Sequence, residues 1–184
     1  MKELSLNILD IAQNSVKAGA KNIFISLAEE DGRLTFKITD DGCGMSADFL
    51  AKVLDPFTTT RTTRKVGLGL PLLKMAAEAT GGTLEITSRD SAVCADHGTE
   101  VTATFFTRHI DCPPLGDIVS TVVLLLQNAP FEPRYVYTHS KGENVFSLDT
   151  DELHEQLGPD IPLSEPAVLE FIESYLREGE EGLE

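Results

Sequence analysis

Side chains able to bind a metal, a base or a phosphate occur in four short phrases within the first 70 residues of this 184-residue chain. In chain order, the phrases are Asp10-x-x-x-Asn14, Asp40-Asp41-Gly42-Cys43-Gly44, Pro56-Phe57-Thr58-Thr59-Thr60-Arg61 and Gly67-Leu68-Gly69-Leu70. Each phrase has an ordinary structural interpretation when it stands alone. Together they could supply a metal ligand, a reader of a nucleotide base, a mobile basic loop and a phosphate-binding helix start.

The first phrase lies in a segment whose apolar residues recur at helical spacing. Asp10 and Asn14 are four residues apart, so both project from one helix face, with Lys17 close to them. An asparagine carbonyl is a hard oxygen ligand suited to Mg²⁺, which keeps phosphate and water as its other partners. A neighbouring carboxylate could orient water or accept a proton, and a lysine could contact phosphate. The alternative for this phrase alone is a solvated helix face.

The second phrase ends a predicted strand. Because side chains alternate along a strand, Leu34, Phe36, Ile38 and Asp40 point to one side, which is the apolar side, whereas Asp41 points to the other. A buried carboxylate needs a partner, and the exocyclic amine of adenine could be one, where guanine would present a carbonyl. The glycines that follow permit close backbone approach. The alternative is an Asp-Gly turn that closes the strand.

The last phrase places two glycines just before a predicted helix with Pro71 in its first turn. Free backbone N–H groups and the helix dipole at such a start favour phosphate. The phrase is neither a Walker loop, since no Gly-Lys-Ser/Thr follows, nor a dinucleotide fingerprint, since a third glycine is missing. The alternative is a plain glycine-containing loop.

The polar run from Thr58 to Lys65 carries three positive charges and few apolar anchors. Such a segment is expected to be mobile and could become ordered over an anionic ligand. Its alternative interpretation is a solvated surface loop. The four phrases together predict an ATP site.

Periodicity and turn residues place these phrases on a regular series of elements. We expect helices over residues 3–18, around Leu50–Val53, from Pro71 to Thr80 and from about Ser164, with Ile118–Leu126 as a core helix or strand. We expect strands at Ile23–Leu27, Leu34–Ile38, Thr83–Ser88, Thr99–Phe106, Arg134–Thr138 and Asn144–Leu148. Residues from Gly179 to Glu184 are expected to be frayed. This order predicts an α+β fold with a mixed sheet covered on one face by helices.

Charge divides the chain into two parts. Residues 1–107 carry 11 Lys/Arg against 14 Asp/Glu, whereas residues 108–184 carry 4 against 16, so most of the net charge of −15 lies in the second part. With Cys112-Pro113-Pro114 as the boundary, we predict an ATP-binding domain at 1–107 and a small acidic C-terminal α/β extension at 108–184. The acidic part argues against nucleic-acid binding and suits a solvated surface or a basic protein partner.

The cysteines and the hydropathy pattern limit location and cofactors. Three cysteines, widely spaced, support neither a zinc site nor a disulfide framework and fit a reducing cytoplasm. The N-terminus does not resemble a signal peptide, and the most apolar run is too short to span a bilayer. We therefore expect a cytoplasmic protein without a membrane partner. The sequence leaves its oligomeric state open.

The combined motif pattern resembles the superfamily of gyrase, heat-shock chaperone, histidine-kinase and mismatch-repair ATPases, which share the Bergerat ATP-binding fold. The resemblance covers about residues 4–106 and is nearest to the histidine-kinase-like branch or the anti-sigma-factor serine kinases. It implies a two-layer α/β sandwich, ATP and Mg²⁺ as cofactors, Asn14 as the metal ligand, Asp40 as the adenine reader and Asp10 as the catalytic residue. The nucleotide-binding residues that it implies are Asn14, Lys17, Asp40, Gly42, Gly44, Met45, Phe57, Thr59, Arg61, Gly67, Leu68, Gly69, Leu70 and Thr99.

This chain departs from the family pattern at two points. Hydrolytic members usually carry Glu four residues before the Asn, where this chain has Asp10, and members usually have a further segment before that helix. The shorter acidic side chain is compatible with a kinase, because the acceptor of a kinase is the nucleophile. We also expect residues Arg134–Leu148 to supply a strand or cover that other members provide upstream.

Three functions follow as hypotheses. The first is an ATP-dependent protein kinase that acts on a separate, unidentified partner protein, the second an ATP-sensing binding module, and the third a slow ATPase. Autophosphorylation is not expected, because none of His97, His109, His139 and His154 lies in a sensor-kinase acceptor sequence. Each of these histidines is expected to be an exposed surface residue.

Overall fold

The computed structural model of the chain describes residues 3–54, 69–128, 133–158 and 160–183, which form six helices and six strands. The helices are α1 (Leu4–Lys17), α2 (Ala47–Leu50), α3 (Gly69–Ala79), α4 (Ile118–Asn128), α5 (Thr150–Leu157) and α6 (Pro166–Glu181). The strands are β1 (Asn22–Glu30), β2 (Arg33–Asp40), β3 (Thr83–Arg89), β4 (Gly98–Phe106), β5 (Arg134–Lys141) and β6 (Asn144–Asp149).

The strands form one sheet in the order β3-β4-β2-β1-β5-β6. Neighbours are antiparallel except β1 and β5, which are parallel and paired from Asn22↔Arg134 to Glu29↔Lys141. The C-terminal part of the chain therefore supplies two strands to the sheet, as expected for Arg134–Leu148. The boundary at residue 107 stays a prediction, although the sheet itself continues across it.

The sheet has one covered and one open face. Ile25 and Phe36 are buried under the helices, whereas their neighbours Phe24 and Lys37 project from the opposite face and are exposed. Alternation of this kind is typical of a sheet packed on one side only. Helices α3, α1, α4 and α6 lie side by side over the covered face, each in contact with the next. The α+β fold with helices on one face is confirmed.

The β1–β2 hairpin shows how local sequence fixes the register that brings Asp40 to its place. Asp31 and Gly32 form the turn with φ of 51° and 73°. Both central residues of a type I′ turn need positive φ, and Asp-Gly is a favoured pair for it. The turn sets Glu30 opposite Arg33 and, at the far end of the hairpin, Ile23 opposite Asp40.

Helix α1 buries one side and exposes the other because its apolar residues recur at helical spacing. Leu4, Ile8 and Ile11 face the core, and Asn14 and Lys17 are exposed. Gly19 follows the helix with φ of 74°, the left-handed conformation that commonly ends a helix. The observed helix agrees with the one predicted over 3–18.

The C-terminal part contains more order than the sequence predicts. The helix α5 was not predicted, and α6 remains helical through Glu181, so the expected fraying from Gly179 is wrong for the described residues up to Leu183. The reason is packing: Gly179 lies so close to the Phe146 ring of β6 that an added Cβ would overlap it. Leu183 is 5% exposed and extends the packing beyond the helix.

The expectation of four exposed histidines is also wrong. Only His109 is exposed, whereas His97 and His154 are half-buried and His139 is 3% exposed. His139 lies on the covered face of β5, where Glu180 of α6 and Glu29 of β1 accept hydrogen bonds from its two ring nitrogens. Two carboxylates make burial of this polar ring tolerable.

No helix in the described ranges is long and apolar enough to cross a membrane.

Candidate functional site

A cavity of about 240 Å³ lies between α1 and the adjoining ends of β2 and β4. Its lining combines two carboxylates and an amide with apolar side chains, as is usual for a site that takes a small molecule. The lining residues are Asp10, Ile11, Asn14, Ser15, Ala18, Asp40, Gly44, Met45, Phe49, Val53, Leu70, Thr99 and Val101.

Asp40 ends β2 with its carboxylate in this cavity. One oxygen, Oδ1, accepts a hydrogen bond from the backbone N–H of Gly42 at 2.9 Å, and the other, Oδ2, accepts one from the Ser15 hydroxyl at 2.5 Å. The side chain therefore lies on the covered side of the strand, as the alternation along β2 predicts. Its role as adenine reader stays a prediction.

The neighbouring Asp41 points to the other side of the strand end, where it joins two strands by hydrogen bonds. It accepts hydrogen bonds from the backbone N–H groups of Lys21 and Asn22 at 2.7 and 2.9 Å and from the Asn22 amide at 2.7 Å. Partial burial acts to raise the pKa of Asp41, but these hydrogen bonds outweigh it and hold the pKa below 3.8. Asp41 thus ties the start of β1 to the end of β2.

The glycines after Asp40 allow backbone contacts that a side chain would prevent. Gly44 has φ of 69°, and an added Cβ would overlap the Arg89 carbonyl. At Gly42 an added Cβ would lie 2.8 Å from the Ala18 Cβ, so the turn packs directly on the end of α1. His97 also contacts this turn, with Nδ1 at 2.6 Å from the Gly42 carbonyl oxygen.

A second hydrogen-bonded group holds the β4 side of the cavity. Thr99 lies opposite Asp40 in the β2–β4 register and opposite Ser88 in the β3–β4 register. The Ser88 hydroxyl lies 2.8 Å from the Thr99 hydroxyl and accepts the Met45 backbone N–H at 2.8 Å. Met45 and Thr99, both predicted site residues, therefore line the cavity and share Ser88 as a hydrogen-bond partner.

The first phrase forms the opposite end of the cavity. Asp10 and Asn14 both line it from α1, whereas Lys17 is exposed and is not among the lining residues. The Asp10 carboxylate lies against Gly69, the first residue of α3, so closely that an added Cβ there would overlap it. Leu70 follows as a lining residue. Asp10, Asn14 and the start of α3 are thus brought together.

Part of the predicted site cannot be placed. Phe57, Thr59, Arg61, Gly67 and Leu68 lie outside the described residues. Their assignment to the site stays a prediction.

Ser15 and the apolar lining around it were not predicted from the sequence. Ser15 directly follows Asn14, yet its value to the site depends on a hydrogen bond to a residue 25 positions away. Phe49 and Val53 were also missed; Phe49 is on α2, which begins after the Ser46 cap, a few residues earlier than expected. A hydroxyl residue on the buried side of α1, next to a proposed ligand, was the available signal for Ser15.

Residues 2–109 match the family described as histidine kinase-, DNA gyrase B-, and HSP90-like ATPase. This span is more than half of the chain, and it includes every described residue that lines the cavity. The chain belongs to this family. Residues 2–109 are therefore an ATP-binding domain of the histidine-kinase-like type.

Two curated relatives are a sensor protein and a sporulation kinase. The sensor protein KdpD of Clostridium acetobutylicum is 33% identical over 96 residues, which are 50% of this chain and 11% of the relative. Sporulation kinase D of Bacillus subtilis is 33% identical over 104 residues, which are 56% of this chain and 19% of the relative. The chain thus spans less than a fifth of the length of either relative.

A solved structure described as the N-terminal domain of a DNA repair protein shares the fold. The similarity covers 81% of this chain and 52% of that one, with a TM-score of 0.56 and 12% identity. At this identity the likeness shows the fold alone. Because residues 2–109 make up about three-fifths of the chain, the shared fold extends into the C-terminal part.

Proposed function

We propose that this protein is an ATP-dependent kinase that phosphorylates a separate protein. The observation that carries the proposal is that one and the same cavity joins Asp40 at one end to Asp10, Asn14 and the start of α3 at the other. One end offers a fixed carboxylate that suits the adenine amine. The other offers hard oxygen ligands and a helix start, which suit a metal-bound phosphate chain.

The donor set at the second end fits Mg²⁺. The Asn14 side chain offers a carbonyl oxygen there, and Asp10 a carboxylate. No group of three or more His, Cys, Asp or Glu in the described part of the chain could hold a metal ion by itself. A cation at Asn14 would therefore take its other ligands from phosphate oxygens and water, as Mg²⁺ does. When bound, it would neutralise charge on the phosphates.

Phosphoryl transfer needs positioning and charge neutralisation more than covalent chemistry from the protein. In the proposed reaction an acceptor oxygen of the partner forms a bond to the γ-phosphorus while the bond from that phosphorus to the bridging oxygen of ADP breaks. Asp10 accepts the proton of the acceptor. Its carboxylate fits this role because it lines the cavity beside Asn14.

The cytoplasm is the proposed location, because the supply of ATP is there. The three cysteines, all unpaired, fit a reducing compartment.

The test is transfer of label from γ-labelled ATP. Purified protein with Mg²⁺ is incubated with extract from its source cells, and label on protein and free phosphate are both measured. Wild type is compared with Asp40→Asn, which replaces the proposed acceptor of the adenine amine by an amide. Asp31→Asn is the matched control, because Asp31 is an exposed turn residue whose positive φ asparagine also tolerates.

We expect a labelled partner with wild type and Asp31→Asn and strongly reduced label with Asp40→Asn. ATP affinity, measured by calorimetry, should fall in Asp40→Asn about 10-fold or more, since a hydrogen bond to a charged group is lost. Tight ATP binding with neither labelled protein nor released phosphate would contradict the kinase proposal and indicate a nucleotide sensor. Released phosphate without label would indicate an ATPase. Equal ATP affinity in all three proteins would contradict the site.

A further inference from the structure

We infer that Ser15 is a positioning residue that sets the base selectivity of the site by holding the carboxylate of Asp40 in one orientation. The inference rests on the proposed ATP site and adds Ser15 to the site residues that the sequence predicts. Ser15 lies on the buried side of α1, is 3% exposed and lines the cavity.

The hydrogen bonds at Asp40 come from two different elements. Ser15 donates from α1 to Oδ2 at 2.5 Å, and the backbone of Gly42 donates from the turn to Oδ1 at 2.9 Å. Each carboxylate oxygen therefore has one donor from the protein. A single donor would leave the carboxylate free to rotate. One donor at each oxygen fixes the orientation of the carboxylate plane.

The Ser15 hydroxyl has a choice of acceptors. Its oxygen lies 3.4 Å from the Ile11 carbonyl oxygen and 2.5 Å from the Asp40 carboxylate. A serine hydroxyl has one proton, and a hydrogen bond to an ionised acceptor is shorter and stronger than one to a neutral carbonyl. The proton is therefore committed to Asp40, and the back-bond to the helix is the weaker of the two.

This commitment has a consequence for the ligand. A carboxylate that already accepts one hydrogen bond at each oxygen has lone pairs left, and it remains a pure acceptor. It can receive an exocyclic amine and repels a carbonyl in the same place. Because Ser15 holds the Asp40 carboxylate, one of the remaining lone pairs of this carboxylate points into the cavity. The strength of the hydrogen bond to the adenine amine therefore depends on the Ser15 hydroxyl, although this hydroxyl need not contact the base.

Ser15 also links the two ends of the site through α1. It is next to Asn14 and five residues after Asp10, so the helix that positions the phosphate end also carries the donor that orients the base end. A shift of α1 would change both ends together.

The test compares two nucleotides that differ only in the group that Asp40 reads. ATP is measured against purine riboside triphosphate, in which hydrogen replaces the exocyclic amino group, by calorimetry with Mg²⁺ present. The variants are Ser15→Ala, which removes the donor, and Ser15→Thr, which keeps it. Ser5→Ala is the matched control, because Ser5 is also buried on α1, with 1% exposure, and does not line the cavity.

We expect Ser15→Ala to weaken ATP binding roughly 10-fold while changing the affinity for purine riboside triphosphate less than about 3-fold. Ser15→Thr and Ser5→Ala should keep the wild-type ratio of the two affinities. An equal loss for both nucleotides in Ser15→Ala would show a merely structural role and overturn the inference, as would unchanged affinity for both nucleotides. Failure of wild type to bind ATP at all would instead contradict the proposed function.

Discussion

At the scale of single residues, His139 is a buried titratable group outside the cavity with a carboxylate at each ring nitrogen. Its Nδ1 lies 2.7 Å from Glu180 Oε2 and its Nε2 lies 3.1 Å from Glu29 Oε1. The Tyr137 hydroxyl donates to the other oxygen of Glu180 at 2.7 Å. These four side chains connect β5 with β1 on one side and with α6 on the other.

Stability should depend on the charge of this histidine. Burial acts to lower the pKa of His139, but the hydrogen bonds and negative charges of Glu180 and Glu29 outweigh it and raise the pKa above 6.5. A raised folded-state pKa gives stability that is fully present below pH 6.5 and is lost as pH rises through the folded value.

We therefore expect the free energy of unfolding to fall as pH rises above 6.5, and to fall less in His139→Gln. Chemical denaturation at a series of pH values measures it. His109→Gln is the control, since His109 is exposed and 3.7 Å from Asp111. Parallel pH profiles for wild type and His139→Gln would contradict the assignment.

The sequence could predict which site residues lie on the same side of one helix or strand. It could not predict most contacts between residues of different helices and strands. Alternation along β2 was enough to aim Asp40 correctly, because strand parity is a local property. The hydrogen bond from Ser15 and the burial of His139 depend on residues 25 to 110 positions away. Residue type and spacing could place the Ser15 hydroxyl on the buried side of α1, but they do not identify Asp40 as its partner.

At the scale of elements, the end of α6 depends on one glycine. Gly179 contacts the Phe146 ring of β6, which in turn packs on Tyr175 with ring centroids 5.3 Å apart. The absence of a side chain at residue 179 lets the helix approach the strand.

We expect Gly179→Ala to destabilise the protein by about 1–2 kcal/mol, although alanine favours a helix over glycine by about 1 kcal/mol. The added methyl group overlaps the Phe146 ring, and the strand side must move to admit it. Gly182→Ala is the control, because Gly182 also has helical dihedral angles and its added Cβ would meet nothing closer than 3.4 Å. Thermal unfolding of the two variants should separate them; a gain in stability at both positions would count against the packing argument.

Element positions were largely accessible from sequence, and element ends were less so. The β1–β2 turn is accessible from sequence because Asp31-Gly32 has a local conformational reason to be there. Helix α5 was missed because it has only eight residues and buries only Thr150 and Leu153, too few for a helical period. The order at residues 179–183 was missed because it depends on contact with β6.

At the scale of the whole molecule, the C-terminal part completes the sheet and the helix layer. The backbone N–H groups of Leu4 and Ser5 donate to the carbonyls of Pro114 and Leu115 at 3.0 and 2.8 Å. Helix α4 packs beside α1, and β5 pairs with β1. The acidic extension predicted from charge is thus also a structural part of the layer that holds Asp10 and Asn14.

A chain that ends at Thr107 should lose cooperative unfolding and bind ATP at least 10-fold more weakly than the full chain. Without β5, strand β1 becomes an edge, and without α4 the buried side of α1 is exposed. Circular dichroism on heating and calorimetry with ATP measure the two effects. Cooperative unfolding with unchanged ATP affinity would instead support an independent domain at residues 1–107.

The parallel pairing of β1 with β5 also has a consequence for synthesis on the ribosome. Asn22 pairs with Arg134, so 112 residues separate the partners. At about 5–20 residues per second, the nascent chain waits roughly 6–22 s between emergence of the first strand and its partner. During that interval β1 has a free edge, and the helix carrying Asp10 and Asn14 lacks its neighbour. The nucleotide site should therefore mature late in translation, after most of the family-matched segment has already left the ribosome.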